Sequence, residues 1–583
     1  MRFAARMRKK EWLIAPASKS AAPLADSLNI SPLLGQLLIN RGVTEPQQGQ
    51  TFLSPKLNEL IPPEEMPGVS DAVDRIVKAV SDNEKITIYG DYDVDGITSV
   101  TILAGLFDLL DVKYDYYIPH RVDEGYGLNP EAIEQIASSG TKLIITVDCG
   151  ITAFKTAELT KSLGIDLIIT DHHRPKESGE LPAAAAIVHP GIDPNYPTPF
   201  SAGAMVAFKL AWAVVNKIKG PGKTSPELKE FLINSTIFAA MGTIADVIEL
   251  RGENRVISSF GLRAISDSKL PGIAALIETT RLTTEKIDSF HIGYCLAPIL
   301  NAAGRMGHAR LAVELLTSDT QIKAMRIADY LKQQNKQRQQ IERKIFKEVS
   351  DMIKATGLDM PHRKSIVIGY ENWHTGVIGI VASRVIDAYY RPTILFNISD
   401  GKAQASARSI EGFDILKAIE ACSDDLLSYG GHAMAAGLTL EAKNLEKFAD
   451  DFEKYTCENW AEDEFVSRLE IDALCQLKDL SIPAVRAISN LGPFGKGNEQ
   501  PIFVSKGVRL VATPRKVGQQ GKHLQIAVCD NSANARCIGF GMAGFEKKLL
   551  ENEFFDIAYE PKIDTYYGSE NVQLILSDIQ FPE

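Results

Sequence analysis

Between residues 85 and 170 the chain carries four short apolar, β-branched runs, at 85–90 (KITIYG), 114–118 (YDYYI), 142–147 (KLIITV) and 166–170 (DLIIT). Each has the length of a strand, ends in a polar cluster and is followed by a helical pattern. After the first run, Val100, Leu103, Phe107 and Leu110 recur at helical spacing, which predicts the order strand, loop, helix. Strands that alternate with helices in this way build a parallel sheet, and continuous apolar strands are covered on both faces. Such sheets bind their ligands beyond the carboxyl ends of the strands. The polar clusters fall there.

Residues 319–356 are rich in Gln, Lys and Arg, keep helical periodicity and contain no Gly or Pro, which predicts one long connecting helix. Eight Lys or Arg against three Asp or Glu in 321–350 make a basic stripe, which suits a solvated face and a groove lining equally. A second mixed region begins at 364 and runs to about 460, with a strand-like stretch at 392–396. Short alternating strands at 502–504, 508–512, 523–529, 535–540 and 572–576 predict a small β-barrel. The fold class expected is α/β. Its parts are an N-terminal segment (1–70), a parallel-sheet domain (71–318), the connecting helix (319–356), a second α/β domain (357–462) and the barrel (463–583).

Composition narrows the setting. A chain of 583 residues outgrows a single core, so several domains are expected. No stretch approaches the roughly 20 apolar residues that span a bilayer, and the basic start lacks the apolar centre of a signal peptide. A cytoplasmic location is expected. Seven cysteines, an odd number with no Cys-x-x-Cys pair, read as reduced thiols. A net charge of −11, from 63 Lys and Arg against 74 Asp and Glu, excludes a protein that coats nucleic acid unselectively. Any nucleic-acid site is a local basic groove.

The strongest chemical signal is Gly90-Asp91-Tyr92-Asp93-Val94-Asp95-Gly96, three carboxylates at alternate positions after a strand. Such a cluster is costly unless a cation neutralises it. An EF-hand loop opens in the same way, but its twelfth position is Ile102 here instead of a bidentate Glu. Asp148 ends the next strong strand, and Asp171-His172-His173 ends the one after it. Asp246 closes an apolar helical run. A lone Asp at a strand end is usually a cap, and a lone His is usually structural. Clusters at successive ends of one parallel sheet converge on a shared metal site. Mixed imidazole and carboxylate ligands suit Mn²⁺, or Mg²⁺ with retained waters, and their number suits two ions clamping a phosphate. Gly222-Lys223-Thr224 resembles the end of a P-loop, but Lys217 stands where that motif needs its first glycine, so no ATP site is expected.

These residues resemble the DHH phosphoesterase superfamily through GDYDVDGITS (90–99), ITVDCGI (145–151), the DHH triplet itself and GTIADVIEL (242–250), in the family's order. Within it the chain is similar to the RecJ family of bacterial single-strand-specific exonucleases. That similarity runs from about residue 40 to the end through IPHRVDEGYGLN (118–129), NAAGRM (301–306), WHTGVIGIVASR (373–384), SARS (406–409), GGHAMAAG (430–437) and LGPFGKGN (491–498). The resemblance implies that Asp93 and Asp148 hold one metal, that Asp95, Asp148, His172 and Asp246 hold the other, and that His173 lies beside the scissile phosphate. Asp91 is assigned an orienting position behind the ligands. Pyrophosphatase members of the superfamily supply a His four residues before the first metal Asp, where this chain has Tyr89.

The second α/β region resembles the DHH-associated domain, in which Gly430, Gly431 and His432 would approach phosphate oxygens. Read without the resemblance, the same run is a glycine turn between a helix and a strand. Arg121, Arg305 and Arg408, with Ser406, are the remaining substrate-binding candidates. The barrel looks like the oligonucleotide-binding (OB) fold; its residues 503–537 carry six Lys or Arg and one acid, Asp530.

The activity implied is metal-dependent hydrolysis of single-stranded DNA, 5′ to 3′, releasing mononucleotides, in DNA repair and recombination. Single-stranded DNA, a helicase and a single-strand-binding protein are the implied partners, with no membrane. The alternatives are a DHH phosphodiesterase acting on short oligoribonucleotides, cyclic dinucleotides or pyrophosphate, and a non-catalytic single-strand-binding protein.

Overall fold

The computed structural model describes residues 10–121, 124, 125, 127–220, 222–283, 287–461, 465–565 and 568–582. The chain forms two compact units: residues 54–338 with 492–499, and residues 1–53, 339–491 and 500–583.

The first unit is built on five parallel strands, β1 (Ile86–Gly90), β2 (Tyr114–Tyr117), β3 (Leu143–Val147), β4 (Asp166–Thr170) and β5 (Ala186–Val188), in the order β2-β1-β3-β4-β5. Ile86, Ile88, Leu143, Ile145, Val147 and Ile168 face a large helical core. Tyr89, Ile144, Leu167 and Ile169 face a smaller one. Both faces are therefore dry, as continuous apolar strands require. Helix α1 (Val94–Leu109) is buried almost all round and packs against α2 (Gly203–Lys219) and α3 (Pro226–Ala245). From β1 the chain passes to β2 on one side and returns to β3 on the other, so the switch point of the sheet lies between β1 and β3. Register aligns Gly90, Val147, Thr170 and Val188 in one row. The residues that follow, Asp91, Asp148, Asp171 and His189, leave the sheet at one level.

In the second unit the N-terminal strand Glu11–Ile14 pairs in parallel with Arg468–Ile471, and Trp12 Nε1 donates to Asp578 Oδ2 at 2.8 Å. The N-terminal segment expected over 1–70 is thus divided, because an isolated strand edge needs a partner and finds it late in the chain. The Gln-, Lys- and Arg-rich stretch forms a 36-residue helix, Gln321–Thr356, and the division between units falls within it.

A five-stranded sheet follows, ordered Leu426–His432, Ala435–Glu441, Lys402–Arg408, Thr393–Ser399, Ile366–Glu371. The GGHAMAAG run is not a turn between a helix and a strand: it is a β-hairpin, with Gly430 opposite Gly437 and His432 opposite Ala435.

In the barrel, Phe503–Leu510 pairs with both Phe555–Asp564 and His523–Cys529, and Asn571–Gln580 and Asn534–Gly539 complete a partly closed ring of five. The strands expected at 502–504 and 508–512 are one strand with an irregularity between Ser505 and Val508. Phe555–Asp564, which is not among the strands expected, contains Pro561. The proline is accommodated because pairing with Phe503–Leu510 ends at Tyr559. The barrel cations Lys506, Arg509, Arg515, Lys516, Lys522 and Arg536 are all exposed. All seven cysteines are free. Among the described residues no helix is long and apolar enough to cross a membrane.

Candidate metal centre

The loop after β1 folds back on itself as α1 begins. Asp93 caps that helix, its Oδ1 accepting from the Asp95 and Gly96 amides at 2.9 and 3.1 Å. A Cβ on Gly96 would stand 2.5 Å from the Asp91 carbonyl oxygen, so only glycine allows the reversal. Asn301 Oδ1 accepts from Val94 N at 3.1 Å, which gives the NAAGRM motif its part in holding the loop. Asp95 is fully buried, and its carboxylate accepts from Gly203 N at 2.6 Å and Ala204 N at 2.8 Å, the first turn of α2. A helix N-terminus is a natural seat for an anion.

Asp148 takes a left-handed backbone conformation (φ 61°), uncommon outside glycine. From there its Oδ1 lies 3.0 Å from His172 Nε2. The same nitrogen is 3.7 Å from both Asp95 Oδ2 and Asp246 Oδ2, yet it is buried without a hydrogen-bond partner. The ring's hydrogen bond to the Ser201 backbone therefore engages its other nitrogen and leaves Nε2 facing the carboxylates. Burial, with the neighbouring His173 charge, holds the His172 pKa down at about 3, so the imidazole is neutral. A neutral nitrogen turned toward three carboxylate groups from separate elements is the donor set of a divalent metal.

Asp171 does different work. Its Oδ1 accepts from His172 N, His173 N and His173 Nδ1 at 2.7, 3.1 and 2.8 Å, and its Oδ2 accepts from Ile151 N at 2.9 Å. Burial opposes its ionisation, but these bonds bring its pKa down to about 2. In return, and against burial, Asp171 lifts the His173 pKa to about 9. His189, which the sequence reading missed, fastens the triplet from below: its Nδ1 accepts from Gly191 N at 2.9 Å, so its Nε2 donates to the His173 carbonyl at 2.7 Å. Its position one residue beyond β5 was the available signal.

The ligand atoms of Asp91, Asp93 and Asp148 lie within 4.8 Å of one another, as do those of Asp95, His172 and Asp246 and those of Asp148, His172 and His173. Asp91 therefore stands close to Asp93 and Asp148, and its Oδ1 is buried without a hydrogen-bond partner. Tyr89 lies on the other face of the sheet, where its hydroxyl donates to the Gly127 carbonyl at 3.0 Å. Burial first, then neighbouring carboxylates, raises Asp91, Asp95 and Asp148 well above the usual carboxylate range. Burial and the Asp93 charge push Asp246, the C-cap of α3, up to about 7. So many buried acids favour the entry of cations.

Arg121 lies over the ring of Tyr92, 4.8 Å from its centroid, and the charges of Arg121 and Arg305 both reach the Tyr92 hydroxyl. Ser406, Arg408, Gly430, Gly431 and His432 belong to the other compact unit. There Ser406 is opposite Gly437 and Arg408 opposite Ala435, which aligns Ser406 with Gly430 and Arg408 with His432 across three strands. Arg408 Nη1 donates to Ser406 Oγ at 3.3 Å, and a Cβ on Gly379 would stand 2.7 Å from that oxygen.

Comparison with known proteins agrees with this arrangement. The DHH family N-terminal domain matches residues 85–236, the DHHA1 domain residues 363–458 and the RecJ OB domain residues 471–578. The single-stranded-DNA-specific exonuclease RecJ of Bacillus subtilis is 36% identical over 581 residues, which cover 99% of this chain and 71% of that protein. The likeness thus includes the first 40 residues. The Haemophilus influenzae protein of the same name is 32% identical over 96% of this chain and 98% of its own. The crystal structure of RecJ from Thermus thermophilus in complex with Mn²⁺ superposes with a TM-score of 0.83 and 27% identity, covering 98% of this chain and 80% of that one. With its three domains matched and its full length shared with such relatives, the chain belongs to the RecJ family.

Proposed function

We propose that the protein is an exonuclease that hydrolyses single-stranded DNA with two divalent ions, Mn²⁺ or Mg²⁺. The observation that carries this reading is His172 Nε2, neutral, buried and turned toward carboxylates of Asp95, Asp148 and Asp246. Asp95, Asp148, His172 and Asp246 would hold one ion; Asp93 and Asp148, with Asp91 beside them, would hold the other. Bound there, such a pair supplies Lewis acidity and a water of lowered pKa.

The chain's own groups do the positioning. Asp171 keeps His173 cationic next to the reacting phosphate. Arg121 and Arg305 carry positive charge to the Tyr92 side of the loop, where they offset charge that develops on the phosphate oxygens. Water attacks phosphorus, the 3′ oxygen of the terminal nucleotide leaves, and the shortened strand keeps a new 5′-phosphate. Ser406 and Arg408, with Gly430, Gly431 and His432, are assigned to the terminal 5′-phosphate, which sets a 5′ to 3′ direction and mononucleotide products. The exposed barrel cations would track the strand behind. A cytoplasmic role in repair and recombination, beside a helicase and a single-strand-binding protein, follows from the same reading.

The test is incubation of end-labelled single-stranded, duplex and RNA oligonucleotides with Mn²⁺, Mg²⁺ or chelator. Release of label from a single-stranded DNA 5′ end, abolished by chelator, is expected. Equal attack on blunt duplex, or digestion that begins at the 3′ end, would refute the assignment.

A further inference from the structure

Residues 492–499 return to the unit that holds the metal cluster, although the sequence on either side of them belongs to the other unit. They form a tight turn. Gly495 and Asn498 exchange backbone hydrogen bonds at 3.0 Å in both directions, which leaves Lys496 and Gly497 at the tip. Gly497 is left-handed (φ 74°), and a Cβ on it would stand 3.3 Å from both Arg251 Nε and Glu249 Cβ. Asn498 is fully buried and its side chain donates to the Pro493 carbonyl at 2.8 Å.

The segment just after Asp246 grips this turn. Leu250 N donates to the Lys496 carbonyl at 2.8 Å, Arg251 Nε to the Gly497 carbonyl at 3.1 Å and Arg255 Nη2 to the Gly492 carbonyl at 2.9 Å. Asp246 itself begins a reversal: Val247 is left-handed (φ 57°), and Ile248 N returns to the Thr243 carbonyl at 3.1 Å. The backbone of Lys496 is thus fixed a few residues from a metal ligand, while its side chain is exposed. Among the described residues its ammonium has no ion-pair partner. Glu499, the nearest acid on the same loop, accepts from Gly497 N at 2.8 Å. The positive charge of Lys496 is felt at Asp246, where it opposes the effects of burial and Asp93.

We propose that Lys496 binds a phosphodiester of the single strand on the Asp246 side of the metal centre, as a positioning residue that takes no part in the chemistry. This rests on the exonuclease reading above. A lysine ammonium is a point charge suited to phosphate. The turn fixes the backbone of Lys496, so only the side chain's own rotamers are ordered when the ammonium meets a phosphate.

The test uses the full-length protein, Mn²⁺ and a 5′-phosphorylated oligo(dT), with KM and kcat measured between about 50 and 200 mM KCl. K496Q and K496M should raise KM by roughly three- to tenfold, as expected for one charge-assisted contact, and leave kcat within about twofold. The slope of log KM against log salt should fall by about 0.7, the value for one single-strand phosphate contact. K496R should restore both, while the melting temperature and Mn²⁺ affinity of all three variants match wild type. An active wild type with unchanged KM and slope in K496Q and K496M would overturn the proposal, as would a loss confined to kcat or to Mn²⁺ affinity. A wild type that leaves the strand intact would defeat the exonuclease reading, and this proposal with it.

Discussion

Gly203 faces Asp148 so closely that a Cβ at Gly203 would stand 2.8 Å from the Asp148 Cβ and 2.9 Å from its Oδ1. The same residue donates its amide to Asp95 at 2.6 Å. Two carboxylates of the cluster therefore depend on the absence of one methyl group. Gly203→Ala should cost about 1–3 kcal/mol of stability through overpacking and, because the strain falls on Asp148, should weaken Mn²⁺ binding by more than about tenfold. A thermal melt and an Mn²⁺ titration measure the two effects separately. Wild-type metal affinity in this variant would show that Asp148 is not a ligand.

Asp91 can be tested by stoichiometry. If it shares the first site with Asp93 and Asp148, Asp91→Asn should reduce bound Mn²⁺ from two ions toward one and lower activity by roughly 10- to 100-fold, the range for weakened metal support. Asp148→Asn should lose both ions and more activity than Asp91→Asn, with little change in fold. Elemental analysis after gel filtration distinguishes the two outcomes. Two ions retained in Asp91→Asn would return Asp91 to an orienting role.

The pH dependence of the chelated protein follows from the same cluster. Asp246 has its folded pKa raised to about 7, so it contributes stability below the ordinary carboxylate range that is lost as pH rises through 7. His173, raised to about 9, contributes stability that is present below about 6.5 and is lost as pH rises through 9. The buried His172, depressed to about 3, acts oppositely but only as pH falls below about 6.5. The Asp246 loss is nearly complete by pH 7 and overlaps the His173 loss only at its start, so His173 dominates the interval from about pH 6.5 to 9. With EDTA the melting temperature should fall across that interval, with Asp246 contributing on the order of 1 kcal/mol at most, since its side chain is partly exposed. Mn²⁺ should reduce the fall, because ligands that have given up their protons to a metal no longer respond. A flat profile in EDTA would contradict the crowding of these acids.

Deleting residues 465–583 looks, from sequence, like a way to remove the barrel and spare the metal centre. The structure gives another expectation. The deletion also removes 492–499 and with them the acceptors of Leu250 N, Arg251 and Arg255, next to Asp246. Activity should therefore fall on short as well as long oligonucleotides, and the catalytic unit should melt lower. Comparison of kcat/KM on the two lengths checks this. An effect confined to long substrates would mean that the loop is dispensable.

What the sequence made legible, and what it did not, divides along physical lines. Asp93, Asp95, Asp148, His172 and Asp246 stand out because carboxylates and imidazoles after dry strands and helices have few other uses. Strand register then fixes their level. The glycines and amides that hold them are set by tertiary approach: nothing local marks Gly203 or Gly242 as touching Asp148 and Asp95. Asp91 is assigned an orienting position from sequence, and only the tertiary approach of its carboxylate to Asp93 and Asp148 makes it a candidate ligand as well. The strand Glu11–Ile14 had no visible purpose until its partner at Arg468–Ile471 was known.

The turn at Lys496 also orders events in time. The catalytic unit draws its body from residues 54–338 but is closed by 492–499, so during synthesis the metal ligands are made long before the loop that supports Leu250 and Arg255. At about 5–20 residues per second the gap is on the order of tens of seconds. During that interval the nascent chain carries a crowded acidic cluster with its flank uncovered. Maturation of the metal centre thus waits on nearly the whole polypeptide, and a ribosome that stalls before residue 499 leaves every metal ligand made but the unit unfinished.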